Sequence, residues 1–163
     1  MSVSEDRTVQ PSPTTAAPAS GIADPAPLGL AAFALTTFLL SAKNANWMGS
    51  ATGAAFLGYA FAYGGLGQLL AGMWEFRNRN VFGATAFSTY GGFWIGVGIW
   101  YQLVAVPALT AAKTPLELAT AVRAINHDQA WILLAFAIFN TYMLILSAQV
   151  NLRSEERRVG KEC

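Results

Sequence analysis

The stretch YGGLGQLLAG, Tyr63 to Gly72, decides the fold class because it lies in a run without a charged residue from Ala45 to Trp74. A membrane helix needs roughly 20 apolar residues to cross a hydrocarbon layer of about 30 Å, and this run is longer. Small residues at four-residue spacing let helix backbones approach closely in lipid. Within the stretch, Gly67 and Ala71 form such a pair, and the pairs Gly49 with Gly53 and Gly92 with Gly96 lie elsewhere in the chain. The stretch therefore predicts a closely packed membrane helix.

The composition of the whole chain also favours a membrane protein. Its 163 residues are 54% hydrophobic and 12% charged, whereas a soluble domain typically carries about 25% charged residues. A net charge of +1 gives no basic surface for nucleic acid. A single cysteine, Cys163, excludes an internal disulfide or thiolate metal site, and the sequence has no catalytic-triad or metal-ligand spacing. We therefore expect neither an enzyme nor a cofactor.

Four apolar runs predict four membrane spans. They are Leu28 to Ala42, Ala51 to Trp74, Ala84 to Val106, and Ala130 to Val150. Residues 1–22, rich in Ser, Thr, Ala and Pro, predict a disordered tail. Arg77 and Arg79 follow the second span, so the positive-inside rule predicts a cytoplasmic loop there and a cytoplasmic N-terminus. The longer connection that carries Pro107, Lys113, Pro115 and Arg123 is then expected outside.

The C-terminal stretch RSEERRVGKEC, Arg153 to Cys163, matches the translation of a common sequencing-library adapter. We interpret it as an artefact and exclude it from functional reasoning. The alternative is a native amphipathic tail. On the first interpretation, residues 23–152 form one transmembrane domain, and the complete gene is expected to add two apolar spans after Leu152.

Gln68 interrupts the apolar run of the second span. An unsatisfied amide in hydrocarbon costs several kcal/mol, so its side chain must face a partner or water. On a helix it shares a face with residues three, four and seven positions away, which are Gly64, Gly65, Gly72 and Glu75. This face is either a helix seam sealed by an amide hydrogen bond or one wall of a narrow polar path. The spacing alone leaves both interpretations open.

Hydroxyl groups cluster at the start of the third span, at Thr85, Ser88, Thr89 and Tyr90. They are candidates for capping backbone groups or lining a path, and a helix N-terminus can hold an anion without a buried cation. No Lys or Arg lies inside any predicted span. This pattern favours a small, weakly held anion or its neutral acid.

Further polar side chains lie beside the second span and inside the fourth. Glu75 is a candidate for proton coupling, but its position beside Arg77 and Arg79 favours an interfacial ion pair. Asn140, Thr141 and Tyr142, inside the fourth span, predict interhelical hydrogen bonds.

Three motifs, in this order, resemble the acetate uptake transporter family, also called succinate-acetate permeases. They are DPAPLGL from Asp24 to Leu30, YGGLGQLLAGMWEF from Tyr63 to Phe76, and NVFGATAFSTYGGFW from Asn80 to Trp94. The family usually has Asn at the position of Asp24, and the reverse hydroxyl order at Ser88 and Thr89. Both differences keep a capping or hydroxyl group, but Asp24 adds a charge that bears on the entry of an anion.

The resemblance implies an all-α membrane protein with six helices per protomer, of which this chain would supply four. It implies a homo-hexamer in the plasma (inner) membrane, with the lipid bilayer, protons and a small carboxylate as partners. The implied function is transport of acetate and related monocarboxylates, with succinate in some members, by proton symport or a channel-like path through each protomer. The alternative is a non-transporting membrane sensor or assembly subunit that uses the same glycine seams.

The resemblance also assigns candidate site residues. Phe33 and Tyr90 would narrow the path, and Gln68 would line it. A third constriction residue, usually Leu, would come from a fifth helix beyond Leu152. The cytoplasmic mouth would be shaped by the signature residues Asp24, Pro25, Ala26, Pro27, Leu28, Gly29 and Leu30.

Overall fold

The computed structural model describes residues 21–48 and 55–159, with side chains through residue 150, and this part of the chain has no strand. The helices are α1 Ala26–Asn44, α2 Ala55–Phe61, α3 Gln68–Arg77, α4 Val81–Trp100, α5 Val106–Ala111 and α6 Pro115–Val159. Two π-helical segments, Ala62–Gly67 and Tyr101–Ala105, join α2 to α3 and α4 to α5 without a break. The predicted all-α class is confirmed.

Some predictions fall on other parts of the chain. The predicted tail, apart from residues 21 and 22, and the pair Gly49 and Gly53 lie outside the described residues. The same holds for residues 160–163 and for the side chains of residues 151–159.

Three helices in the described residues are long and apolar enough to cross a membrane. They are Ala26–Asn44, Val81–Ala111 and Pro115–Val150. They correspond to the first, third and fourth predicted spans. The second predicted span falls in the continuous helix of residues 55–77, which does not meet the same criterion because its glycines and Gln68 lower its mean hydropathy.

The helix α6 begins at Pro115, well before the predicted start of the fourth span at Ala130. The reason is a capping box. The Glu117 amide donates to the Thr114 hydroxyl oxygen at 3.2 Å, while the Glu117 carboxylate accepts from the amides of Thr114 at 3.2 Å and Lys113 at 2.7 Å. Pro115 suits the first helical position, where its missing N–H is not needed. The predicted long connection was therefore wrong, because most of it is helix.

Glycines set the separation of the inner helices. A Cβ at Gly91 on α4 would lie 2.6 Å from the Leu69 backbone nitrogen, and one at Gly72 would lie 2.3 Å from the Ser88 hydroxyl oxygen. One at Gly64 would lie 2.5 Å from the hydroxyl oxygen of Thr36 on α1. The helix of residues 55–77 therefore packs closely against α1 and α4, as glycine seams in membranes do.

The pair Gly92 and Gly96 is different, because no other part of the described chain lies within 4 Å of the Cβ position at either residue. Their four-residue spacing therefore does not form a helix seam within the described residues.

Candidate functional site

Phe33, Gln68 and Tyr90 line one cavity of about 200 Å³, and each residue comes from a different helix. Leu30, Ala86 and Phe87 complete its described wall. The Phe33 and Tyr90 rings meet edge to face, with centroids 5.4 Å apart and an interplanar angle of 66°. The structure thus brings together the three predicted path residues in an apolar cavity with an amide on its wall.

Gln68 follows a widened turn of its helix. The π-helical segment Ala62–Gly67 ends directly before it, and such segments inside α-helices are frequent at functional sites. The Thr36 hydroxyl donates to the Tyr59 carbonyl at 3.4 Å, just before that segment. Only 1% of Gln68 is exposed, yet its Oε1 has no hydrogen-bond partner in the described part of the chain. Within the described residues, a helix seam sealed through this oxygen is therefore not formed.

The face predicted for Gln68 is the buried face of its helix. Gly64, Gly65, Gly72 and Glu75 are all buried with it. Leu66, Leu70 and Met73, on the other side, are about half exposed. Small and polar groups therefore face the protein interior, and large apolar groups face outward toward the membrane.

Tyr90 is held from the other side by α6. Its hydroxyl donates to the Asn140 side-chain oxygen, which confirms Asn140 as an interhelical hydrogen-bond partner. The same prediction was wrong for Thr141, because its hydroxyl donates to the Ala137 carbonyl of its own helix. The rings of Phe136 and Phe139 lie 6.1 Å and 5.9 Å from the Tyr90 ring, centroid to centroid. Sequence reasoning missed these two phenylalanines. The available signal was their spacing from Asn140. Phe136 lies four positions before Asn140, on the same helix face, and Phe139 is its neighbour in sequence.

The signature DPAPLGL forms the start of α1. Asp24 accepts a hydrogen bond from the Ala26 amide at 3.0 Å. The N-cap position of α1 is Pro25, so Asp24 satisfies the first amide of the helix from one position before the cap. Gly29 lies against the Phe87 ring, 2.7 Å from where its Cβ would be, and Leu30 reaches the cavity wall. The motif therefore places one residue on the cavity and brings α1 close to α4.

The three hydroxyl candidates on α4 lie away from this cavity. Thr85 donates to the Val81 carbonyl at 2.9 Å and borders a separate cavity between α4 and α6. Thr89 borders another cavity between the same helices. The Ser88 hydroxyl is buried against Gly72 and has no hydrogen-bond partner among the described residues. The structure therefore does not bring these three residues together with Gln68.

Glu75 is fully buried, and neither of its carboxylate oxygens has a hydrogen-bond partner within the described residues. Arg77 and Arg79 are exposed, and neither forms an ion pair with Glu75. The predicted ion pair was wrong because Glu75 lies on the inner face of the helix, seven positions from Gln68. Its carboxyl carbon lies 3.2 Å from the Cβ position of Gly83, in the first turn of α4. The dipole of that helix end favours negative charge.

The sequence profile of the GPR1/FUN34/yaaH family matches residues 6–154. The chain belongs to the GPR1/FUN34/yaaH family. This membership confirms the resemblance to acetate transporters, because proteins named for acetate transport are among the relatives of this GPR1/FUN34/yaaH chain.

Three similar proteins illustrate the transport functions for which relatives of this chain are named. Acetate permease A of Emericella nidulans is 46% identical over 117 residues, which are 72% of this chain and 36% of the permease. Succinate-acetate/proton symporter SatP of Escherichia coli (strain K12) is 43% identical over 74 residues, 45% of this chain and 38% of SatP. Ammonia transport outward protein 2 of Saccharomyces cerevisiae is 51% identical over 85 residues, 52% of this chain and 30% of that protein. The chain spans about a third of the length of these curated relatives.

Proposed function

We propose that this GPR1/FUN34/yaaH protein transports acetate and related short-chain monocarboxylates, with succinate as a further candidate, through the cavity between Phe33, Gln68 and Tyr90. The observation that carries the proposal is the cavity itself, an apolar neck with a buried amide whose oxygen has no described partner. Acetic acid matches both features, because its methyl group suits the apolar wall and its carboxyl O–H, in the neutral form, can donate to the free Gln68 oxygen. The names of the acetate permease and of SatP support this substrate class.

Selectivity in this proposal comes from size and partial desolvation. Removing a carboxylate from water is costly unless it is paired or neutralised. None of the residues that line the cavity is Lys or Arg. The cost is therefore offset by moving the neutral acid, or a proton together with the anion. A substrate with two charges pays more at the same neck, so acetate is favoured over succinate.

Glu75 is the proposed proton-coupling residue. It lies on the same helix face as Gln68, seven positions and about 10 Å along the axis, and its carboxylate oxygens are unpartnered in the described residues. A carboxyl group in this position can hold a proton near the path without competing with a fixed salt bridge. Proton symport is therefore the preferred mechanism, and a channel-like path is the other candidate.

The setting of the protein completes the proposal. We place it in the plasma (inner) membrane with Arg77 and Arg79 on the cytoplasmic side, as the positive-inside rule indicates. The N-terminus is then cytoplasmic, and Asp24 to Leu30 form the mouth on that side. A homo-hexamer in the lipid bilayer is the assembly that the family resemblance implies.

Uptake of labelled acetate into liposomes tests the function. Vesicles that contain the protein should take up acetate faster than empty vesicles, and Tyr90→Ala should admit butyrate more readily relative to acetate because it widens the neck. Tyr142→Ala is the matched control, because Tyr142 is an exposed tyrosine on α6 that does not line this cavity.

Acetate permease A of Emericella nidulans, prepared in the same way, is the positive control. Uptake equal to that of empty vesicles, in a preparation where the permease is active, would overturn the proposal. An ammonia-dependent change of internal pH without acetate uptake would also overturn it, in favour of ammonia as the substrate.

A further inference from the structure

The hydroxyl of Tyr90 is engaged outside the cavity. It donates its proton to the Asn140 side-chain oxygen on α6, while the ring of Tyr90 lines the cavity and meets Phe33. A phenol hydroxyl has one proton to donate. Because Asn140 accepts this hydrogen bond, the hydroxyl end of the Tyr90 side chain is held outside the cavity. The ring of Tyr90 then forms part of the cavity wall.

The ring of Tyr90 also packs against three other aromatic rings. Phe136 and Phe139 on α6 and Phe93 on α4 lie within 5.9 to 6.5 Å of Tyr90, centroid to centroid. These distances are in the range of favourable aromatic pairs. Phe136, Phe139 and Asn140 are close together along α6, so a single segment of this helix surrounds the outer side of Tyr90.

We propose that Asn140 is a positioning residue that fixes the Tyr90 ring opposite Phe33 and so sets the width of the neck. The inference rests on the proposed function for its effect on selectivity. Its structural part stands on the hydrogen bond and the ring contacts. Asn140 does not line the cavity, so it acts through Tyr90 and not by touching the substrate.

A hydroxyl on a membrane-spanning helix that loses its acceptor has no water in the hydrocarbon layer to replace it, so its side chain turns to find another acceptor. In Asn140→Leu, which keeps a similar size without an acceptor, the Tyr90 ring is no longer fixed. The ratio of butyrate to acetate uptake should then rise about five-fold, the change that corresponds to one lost hydrogen bond. Tyr90→Phe, which removes the hydroxyl, should give a similar rise, and the double variant should give no more than either single variant.

Matched variants separate positioning from general damage to α6. Thr141→Ala is the control, because the Thr141 hydroxyl donates to Ala137 within its own helix at 2.9 Å. It should leave the ratio unchanged. Asn140→Asp keeps an acceptor oxygen at the same place, so it should retain most of the original selectivity.

A spectroscopic measurement tests the contact without relying on transport. 3-Fluorotyrosine placed at position 90 should show a shifted ¹⁹F resonance in Asn140→Leu and an unshifted one in Thr141→Ala. An unshifted resonance in Asn140→Leu would overturn the inference even if acetate is transported. A shifted resonance in a protein that moves no acetate would instead overturn the proposed function and support the Asn140 to Tyr90 contact. A shifted resonance with an unchanged uptake ratio would overturn the effect on selectivity.

Discussion

At the scale of single residues, Gly91 and Gly92 are neighbours in sequence with opposite surroundings. A Cβ at Gly91 would lie 2.6 Å from the Leu69 nitrogen and 2.8 Å from the Gly65 oxygen, and both are backbone atoms that cannot rotate aside. No other part of the described chain lies within 4 Å of the Cβ position at Gly92. The separation of α3 and α4 therefore depends on the first glycine and not on the second.

We predict that Gly91→Ala lowers the free energy of unfolding by about 1–3 kcal/mol, the usual cost of overpacking. Gly92→Ala should raise it by about 0.5–1 kcal/mol, because alanine is the better helix former in open space. Unfolding of the protein in detergent, followed by circular dichroism, measures both. Equal effects of the two substitutions would show that α3 and α4 are not in contact at Gly91.

Gln68→Leu distinguishes a path-lining amide from a helix seam. The Gln68 oxygen has no described hydrogen-bond partner, so replacing the amide with an apolar side chain should leave stability unchanged or raise it. Acetate uptake should fall about five-fold, because the hydrogen bond that the Gln68 oxygen accepts from the O–H of the neutral acid is lost. Gln102→Leu, at an exposed glutamine on the second π-helical segment, is the matched control. A large loss of stability in Gln68→Leu would favour the seam.

At the scale of the helices, the start of α6 depends on polar side chains and not on apolar ones. Thr114→Ala should cost about 1 kcal/mol, as the loss of an N-cap does. The amides of the first turn of α6 should then exchange hydrogen faster. Thr120→Ala is the control, because that hydroxyl bonds to the Leu116 carbonyl of its own helix at 2.9 Å. Unchanged exchange in Thr114→Ala would contradict the capping box.

The sequence analysis predicted the helices correctly where apolar runs define their extent. It was wrong where polar side chains determine the start of a helix or the contacts of a residue. The runs located α1, α4 and α6, but the start of α6 was placed too late, although Thr114, Pro115 and Glu117 carry a known cap pattern. The prediction of an ion pair for Glu75 was wrong because it rested on Arg77 and Arg79 being close to Glu75 in sequence. Residues that are two positions apart in sequence are rotated by about 200° around the helix axis. Arg77 is therefore on the opposite side of the helix from the face that Glu75 shares with Gln68.

The cavity was predictable only in part. The motifs indicated Phe33, Gln68 and Tyr90 together, and the structure brings them to one cavity. The contacts of Phe136 and Phe139 with Tyr90 depend on how α6 packs against α4. That packing joins residues far apart in sequence, so the periodicity of each helix alone does not specify it.

At the scale of the whole molecule, the exposed side of α6 is apolar. Seven of its large aliphatic side chains are about half exposed or more, and they are Leu116, Leu133, Leu134, Ile138, Leu144, Ile145 and Val150. Soluble proteins rarely expose contiguous apolar patches larger than a few hundred Å². Lipid or further membrane helices are therefore the natural surroundings of this helix, in agreement with its assignment as a candidate membrane span.

The proposed orientation can be tested on the two turns that flank α4 and α5. The continuous helix Val81–Ala111 has 31 residues, so it is about 46 Å long and exceeds the hydrocarbon layer of about 30 Å. In the proposed orientation its two ends lie on opposite sides of the membrane. In a Cys163→Ser background, which removes the single cysteine of the sequence, we predict that an impermeant maleimide labels Lys113→Cys in intact cells. Asn78→Cys, between the two arginines, should be labelled only after the membrane is permeabilised.

The two positions serve as controls for each other. The opposite pattern of labelling would reverse the orientation and place the mouth formed by Asp24 to Leu30 outside the cell. Labelling of both from the outside would show that the helix does not cross the membrane, and the cavity could not then form part of a transmembrane path. Because Asn78 lies directly between Arg77 and Arg79, its protection in intact cells also tests whether this cationic pair lies on the cytoplasmic side.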